Sequence, residues 1–189
     1  MTKDWSWLNN PVEDAAQRIL GCELERVVNG VTLRARIVEV EAYDQLDAAS
    51  HTFRGQTKRN SSMFLSAGHA YVYLIHGLHN CLNIVTGEAG FGSGVLVRAV
   101  EPLVGHDVMA ERRGRAGVEL TNGPGKLGQA LGIDRDLNGH DLGHPPLRLI
   151  QRPALDTTRI VTTTRIGISK AVDTPRRFYE AANPYVSRK

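Results

Sequence analysis

Apolar and polar residues alternate in patterns that divide the first part of the chain into one helix and two strands. An Asn-Pro pair at Asn10 is typical of a helix start, and we predict a helix that runs to about Leu20 and stops at the glycine that follows. Residues 23–28 and 32–42 are rich in β-branched side chains, and Asn29-Gly30 separates them. This arrangement predicts two strands joined by a tight turn.

Short apolar stretches continue through the rest of the chain, separated by glycine-rich or polar segments. They predict strands at residues 70–75, 81–85, 95–100, 147–151 and 165–169, and helices at 105–113 and 125–131. Residues 44–62 are polar and without periodicity, which predicts a long loop of the kind that is usually functional in a compact domain. The predicted fold class is α+β: a single mixed domain over residues 1–189, with a curved, largely antiparallel β-sheet and helices at its margins.

Length and composition narrow the class of protein. A chain of 189 residues with 41% hydrophobic and 23% charged residues is suited to one soluble domain with a proper core. It contains no apolar run of about 18 residues and no apolar signal core near its N-terminus, so we expect no membrane span and a cytoplasmic location. Cys22 and Cys81 are far apart and outside any CxxC motif, which favours two reduced thiols.

The net charge of +3 is modest, but the basic residues are grouped. The groups are Arg54, Lys58 and Arg59; Arg112, Arg113 and Arg115; and Arg176 and Arg177. Each group could contact phosphates or form part of an ordinary solvated surface.

Two carboxylates interrupt the strand that is richest in β-branched residues. Glu39 and Glu41 lie within the sequence RIVEVEAY, and an extended strand would place Glu41 and Tyr43 on the same side. Because an unpartnered carboxylate is costly to bury, such a residue is a candidate for chemistry. The competing interpretation is an ion pair between strands, with Arg34, Arg36 or Arg98 as the partner of Glu41.

Aromatic residues suggest what the carboxylate could act on. Tyr71 and Tyr73 share a strand face, and together with Tyr43 they could form a slot for a planar, preferably cationic, ring. His76 and His79 have a spacing of three but lack further ligands in a recognised motif, so we do not expect a metal site. Lys126, in a GPGK segment, could meet one phosphate at a helix start.

Six ordered segments resemble one known family over nearly the whole chain. They are RIVEVEAY from Arg36, AASHTFRGQTKRNSSMF from Ala48, GHAYVYLIHGLHNCLNIV from Gly68, VLVRAVEPL from Val95, NGPGKLGQALGI from Asn122 and TRIGISKAVDTPRRFY from Thr164. The chain thereby resembles the alkyladenine DNA glycosylases, the methylpurine type of 3-methyladenine DNA glycosylase. This resemblance implies a mixed domain around a curved antiparallel sheet, excision of damaged purines, and no cofactor or catalytic metal.

The resemblance also implies roles for individual residues. Glu41 corresponds to the general base, and Arg98 corresponds to the arginine that helps to hold the attacking water. The base pocket corresponds to Tyr43 and His51 on one side of the flipped base, Tyr73 on the opposite face and Asn83 at the floor. The Asn83 amide is expected to clash with the exocyclic amine of normal guanine.

The DNA contacts implied by the resemblance lie around the long loop and the third predicted strand. His76 occupies the position of the residue inserted into the duplex, where many members have a tyrosine. Its smaller and more polar ring predicts weaker capture of the extruded nucleotide, above all for stably paired lesions such as hypoxanthine. Further DNA contacts are expected from Met63, Thr57, Arg59, Leu78 and Lys126.

The resulting hypothesis is a monofunctional DNA glycosylase of base excision repair that excises alkylated, and in some members deaminated, purines. We expect double-stranded DNA containing damaged purines as its partner, no cofactor, no metal, and a monomer. Two alternatives remain open. One is a non-catalytic nucleic-acid-binding domain of similar fold, which would need the basic clusters and stacking aromatics but not Glu41. The other is a metal-dependent nuclease that uses Glu39, Glu41 and the histidines.

Overall fold

Antiparallel strands form the frame of the molecule, and short helices pack against them. The computed structural model describes residues 3–75 and 77–188. The strands of this part are β1 (Glu23–Val28), β2 (Val31–Asp44), β3 (Ala70–Ile75), β4 (His79–Val85), β5 (Ser93–Val104), β6 (Leu147–Ile150), β7 (Ile160–Thr163) and β8 (Arg177–Glu180). The α-helices are α1 (Val12–Ile19), α2 (His106–Arg113) and α3 (Pro124–Leu131). Among the same residues, no helix has the length and apolar character needed to cross a membrane.

One sheet holds these eight strands. Six of them lie in the order β3-β4-β5-β2-β1-β6, and β7 and β8 branch from β2. The first half of β2 lies between β1 and β5, and its second half lies between β5 and β8, which in turn pairs with β7. Each strand pair is antiparallel. The α+β prediction with an antiparallel sheet is therefore confirmed, and β2, which carries both candidate carboxylates, is the central strand.

The β2–β5 pairing has three register shifts, and the two on either side of Glu39 decide which face the following side chains occupy. The pairing runs from Ile37 with Val100 to Glu39 with Ala99, and then to Val40 with Val97. The pairing therefore skips one residue of β2 and then one residue of β5. Because side chains alternate between faces, an extra residue reverses the alternation.

The composition of the core shows the effect of this reversal. On β2 the core takes Leu33, Ala35 and Ile37 before the shift, and Val40 and Ala42 after it. Without the extra residue, the odd-numbered carboxylates would continue into the apolar core. With it, they face the opposite side of the sheet.

Helices α1 and α3 close the apolar face. Helix α1 buries four residues, which are Val12, Ala15, Ala16 and Ile19. Helix α3 lies so close to β4 that a Cβ atom on Gly128 would come within 2.2 Å of the Asn80 carbonyl oxygen. Each fully buried Leu or Ile of this core contributes about 1.5–3 kcal/mol of transfer free energy. The opposite face of β2–β5 is left to polar and aromatic side chains.

The element predictions differ from the structure mainly in the last third of the chain. The helix predicted from Asn10 begins at Val12, and the other early helices and strands are confirmed with shifted ends. The strand predicted at residues 165–169 is wrong, because this segment is a loop whose Ile166 N–H donates to the Glu41 side chain instead of a neighbouring strand. The short strands β7 and β8 were not predicted.

Candidate active site

A cavity of about 680 Å³ opens on the polar face of the sheet. Its volume is in the usual range for small-molecule sites. Strands β2 to β5 form its floor, and residues 48–51 and 166–170 belong to loops that form further walls. The predicted site residues that line it are Glu41, Tyr43, His51, Arg59, Met63, Tyr73, Asn83 and Arg98.

Glu41 is fully buried at the wall of this cavity, and both of its oxygens have partners. The Tyr43 hydroxyl donates to Oε2 at 2.7 Å, and the Ile166 N–H donates to Oε1 at 2.8 Å. Arg98 Nη1 forms an ion pair with Oε1 at 3.3 Å. A carboxylate offers about four acceptor sites, so these two hydrogen bonds and one ion pair leave room for a further donor.

Of the two interpretations of Glu41, the ion pair is confirmed, and the catalytic role stays a prediction. The strand-to-strand ion pair exists, and its partner is Arg98 of β5. The carboxylate nevertheless adjoins a cavity instead of being sealed between strands. Glu39, two residues earlier, does not line the cavity.

Tyr43 connects the carboxylate to the loop after β7. Burial and the adjacent Glu41 carboxylate raise the pKa of Tyr43 well above its ordinary value, so its hydroxyl remains a donor. The guanidinium of Arg165 lies over its ring, 4.6 Å from the centroid. Arg165 is itself held by Asp47 and by the Ala42 carbonyl. One ring face is thus covered by a cation, and Tyr43 is fixed as part of the cavity wall.

His51, Tyr71 and Tyr73 form an aromatic wall. The ring of His51 stands at 80° to Tyr73 with 4.7 Å between centroids, and Tyr71 stacks on Tyr73 at 5.6 Å. His51 Nδ1 lies 3.1 Å from the Tyr71 hydroxyl. Desolvation, and then repulsion by Arg59, lower the pKa of His51, which favours a neutral ring. Burial raises the pKa of Tyr73 well above its ordinary value, so the wall carries no ionised phenol at neutral pH.

The floor contains an amide and a thiol. Asn83 is 4% exposed, and its Nδ2 donates to the Tyr71 carbonyl at 3.2 Å, which fixes the plane of its amide. Cys81 also lines the cavity, and burial raises the pKa of its thiol. Met63 is 2% exposed, lines the cavity, and belongs to the small apolar cluster that contains Tyr71 and against which Tyr73 packs.

The other predicted DNA contacts do not line the cavity. Thr57 is exposed in the long loop, and Leu78 is 76% exposed beside β4. The Lys126 ammonium is 2.8 Å from a Glu119 carboxylate oxygen and 2.7 Å from Asn122 Oδ1. The predicted intercalating residue, His76, lies outside the described residues.

The basic groups of the sequence have different environments. Arg176 forms ion pairs with Glu13, Asp44 and Asp47, and Arg177 is buried against Glu39. This pair is therefore internal, and it is neither a phosphate patch nor a solvated surface. Arg59, by contrast, is exposed at the cavity.

Tyr71 belongs to the predicted aromatic slot, but its contact with His51 and the roles of three other residues were not predicted. Tyr71 fixes His51, Arg165 fixes Tyr43, Ile166 donates to Glu41, and the exposed Lys170 lines the cavity. Arg165, Ile166 and Lys170 belong to TRIGISK, whose alternation resembles a strand but which pairs with none of the described strands; its donors bind the Glu41 and Asp47 side chains and the Ala42 carbonyl. Across residues 3–75 and 77–188, no group of three or more His, Cys, Asp or Glu side chains is arranged to hold a metal ion.

Comparison with known proteins connects this geometry to one family. The family model described as methylpurine-DNA glycosylase matches residues 6–184. The chain is 51% identical to a protein of Methanoculleus marisnigri, with the whole of both chains covered, and 49% identical to one of Nitrosospira multiformis, covering 93% of this chain and 88% of that one. A protein of Carboxydothermus hydrogenoformans is also 49% identical, covering 92% of each chain. All three relatives carry the name "Putative 3-methyladenine DNA glycosylase". The chain therefore belongs to the methylpurine-DNA glycosylase family and is a glycosylase that hydrolyses N-glycosidic bonds.

Proposed function

We propose that this chain is a monofunctional glycosylase that flips damaged purines out of double-stranded DNA and hydrolyses their bond to the sugar, with Glu41 as the general base. The observation that carries the proposal is the position of the Glu41 carboxylate at a cavity walled by Tyr43, His51 and Tyr73. Alkylated purines such as 3-methyladenine and 7-methylguanine are the main substrates. Deaminated purines such as hypoxanthine are a second class.

Base flipping follows from the depth of the site. A base stacked in a duplex hides its sugar carbon, and a buried carboxylate on a sheet cannot enter a groove to reach it. The nucleotide therefore has to leave the stack, which costs a few kcal/mol and costs least for damaged pairs. In the cavity, an alkylated purine presents a positive charge to aromatic faces, which attract it more strongly than a neutral base. A neutral His51 adds no repulsion to that charge.

Hydrolysis then needs a water and a negative charge close to the sugar. As the C1′–N9 bond lengthens, the sugar becomes oxocarbenium-like, and a fixed carboxylate stabilises the developing charge. Glu41 takes a proton from the water as it attacks C1′, while Arg98 holds that water from the side of β5. The Tyr43 hydroxyl and the Ile166 N–H keep the carboxylate from rotating away.

Lys170 requires a separate test, because it is a lysine on the cavity wall. An amine that attacked C1′ would form a Schiff base and nick the strand after base loss. The buried position of Glu41 among three donors favours water as the nucleophile. Incubation with borohydride should therefore trap no covalent protein–DNA complex, and the abasic strand should remain intact until alkali is added.

The decisive experiment is a panel of duplexes, each with one lesion: 3-methyladenine, 7-methylguanine, hypoxanthine or ethenoadenine. Purified protein acting as a monomer, in the presence of a chelator, should release the alkylated bases and leave sites that break only in alkali. Duplex binding with no release of any base would favour the non-catalytic binding domain. Release that stops with chelator would favour metal-dependent chemistry.

A further inference from the structure

Glu39 is a second buried carboxylate, behind the cavity and separate from it. It is 0% exposed and contacts groups of three different segments. Two arginines donate to its Oε1 atom: Arg177 Nη1 of β8 at 2.9 Å and Arg98 Nε of β5 at 3.3 Å. The Ser187 N–H donates to Oε2 at 2.6 Å. Arg177 also donates to the Arg188 carbonyl at 2.8 Å, so residues 187–188 cover this cluster.

Arg98 connects Glu39 to the candidate active site. Its Nε atom faces Glu39 and its Nη1 atom faces Glu41, each at 3.3 Å. Only a planar guanidinium offers donors at two fixed positions of this kind, because the single ammonium of lysine has no such fork. Arg98 is the extra residue of β5 at the register shift, which lets its side chain reach both carboxylates of β2.

We propose that Glu39 is a positioning residue that divides the donors of Arg98 between the two carboxylates. This inference rests on the function proposed above. Without Glu39, Arg98 would be free to turn both edges of its fork to Glu41 and form a bidentate pair. A carboxylate in a bidentate pair has fewer free acceptor sites and is a poorer base. Glu39 thus keeps Arg98 beside Glu41 while leaving Glu41 able to bind a water.

The segment after β8 is part of the same arrangement. Ser187 satisfies the oxygen of Glu39 that neither arginine contacts, which fixes the orientation of the carboxylate. The contact uses the backbone N–H, and the Ser187 hydroxyl is buried without a hydrogen-bond partner among the described residues. The side chain and the backbone of Ser187 can therefore be tested separately.

The main test is a double-mutant cycle measured in single-turnover excision of 7-methylguanine at saturating enzyme. Glu39→Gln should lower the excision rate about 10- to 100-fold while duplex affinity stays within about twofold, since misplaced catalytic groups affect the rate and not the binding. In an Arg98→Lys background, which has already lost the fork, the same substitution should have at most about a twofold effect. Equal effects of Glu39→Gln in both backgrounds, or a wild-type rate for the single variant, would overturn the proposal.

A second pair of variants covers the case in which Glu39→Gln does not fold. Ser187→Pro removes the N–H that binds Glu39, whereas Ser187→Ala keeps it and removes only the unpartnered hydroxyl. The proline variant should excise several-fold more slowly than the alanine variant, with unchanged duplex affinity. Equal rates for the two would show that the orientation of Glu39 does not affect excision and would overturn the proposal. Absence of excision by the wild-type protein would instead refute the proposed function, so the two failures can be told apart.

Discussion

At the scale of single residues, two carboxylates of one strand face have different surroundings because different segments cover them. Glu41 is covered by Tyr43 and the 166–170 loop, which leave it at the cavity. Glu39 is covered by Arg177 and Ser187, which close it off. Except for Tyr43, these covering residues lie 125 or more positions away in the chain. The pattern RIVEVEAY therefore shows that a strand carries acids on one face, but it cannot show which acid meets the substrate.

The contact between Tyr71 and His51 provides a prediction at this scale. Tyr71→Phe should lower the free energy of unfolding by about 0.5–1.5 kcal/mol, the usual net value of a hydrogen bond. It should also slow excision several-fold, because His51 loses the hydroxyl that lies 3.1 Å from its Nδ1 atom. Chemical denaturation and single-turnover kinetics measure the two effects.

A tyrosine outside the cavity supplies the control for that variant. Tyr185→Phe also removes one phenolic hydroxyl, but Tyr185 does not line the cavity. Its excision rate should equal that of the wild type. If Tyr71→Phe excises as fast as this control, the Tyr71 hydroxyl does not orient His51 for function.

At the scale of elements, the direction in which the β2 side chains point depends on the irregular pairing of β2 with β5. Of the three register shifts against β5, the two on either side of Glu39 turn the carboxylates away from the core and let Arg98 reach them. Strand identity could be predicted from β-branched residues and turn signals, and β1 to β5 were found in this way. The shifts could not be predicted, because an extra residue in a β-rich sequence has no signature of its own.

In the last third of the chain, the sequence pattern fails to predict the conformation for a different reason. Residues 165–169 alternate like a strand, but their donors are used by Ala42, Asp47 and Glu41. Strands β7 and β8 have four residues each, like β6, but IVTT and RFYE lack the apolar–polar alternation that LRLI of β6 shows. What could be predicted in this region was therefore its resemblance to the family, and neither its conformation nor its position at the cavity.

The packing of α3 on β4 gives a prediction for an element. Gly128→Ala would place a Cβ 2.2 Å from the Asn80 carbonyl oxygen, so helix and strand must separate. We expect a loss of about 2 kcal/mol or more in the free energy of unfolding, although alanine favours helix formation. Gly123→Ala, at the start of the same helix, meets only the flexible Lys126 side chain at 3.6 Å and should change stability little. Equal stability of the two variants in thermal or chemical denaturation would contradict this account of α3.

At the scale of the whole molecule, the net charge of +3 does not show which arginines are paired with carboxylates and which are exposed. Much of the basic charge neutralises buried or half-buried carboxylates, as with Arg98, Arg165, Arg176 and Arg177. Arg59 and Lys170 are instead exposed at the cavity, where the phosphates beside a flipped nucleotide would lie. We expect phosphate attraction to be concentrated there.

The salt dependence of DNA binding tests this distribution of charge. Lys170→Ala should weaken the binding of damaged and undamaged duplexes alike, and it should reduce the slope of log K against log salt by about 1. Arg135→Ala removes an exposed arginine that does not line the cavity and should leave the slope unchanged. If the two slopes change equally, the cavity mouth is not the region that binds phosphate.

The central claim is that the Glu41 carboxylate activates the water that releases the base. The measurement that tests it most directly is the single-turnover rate of 7-methylguanine excision by Glu41→Gln, with duplex affinity and thermal stability recorded in parallel. We predict a rate at least about 100-fold below wild type, as for loss of a general base, with the duplex still bound and the fold intact. A folded Glu41→Gln variant that excises at the wild-type rate would contradict the assignment.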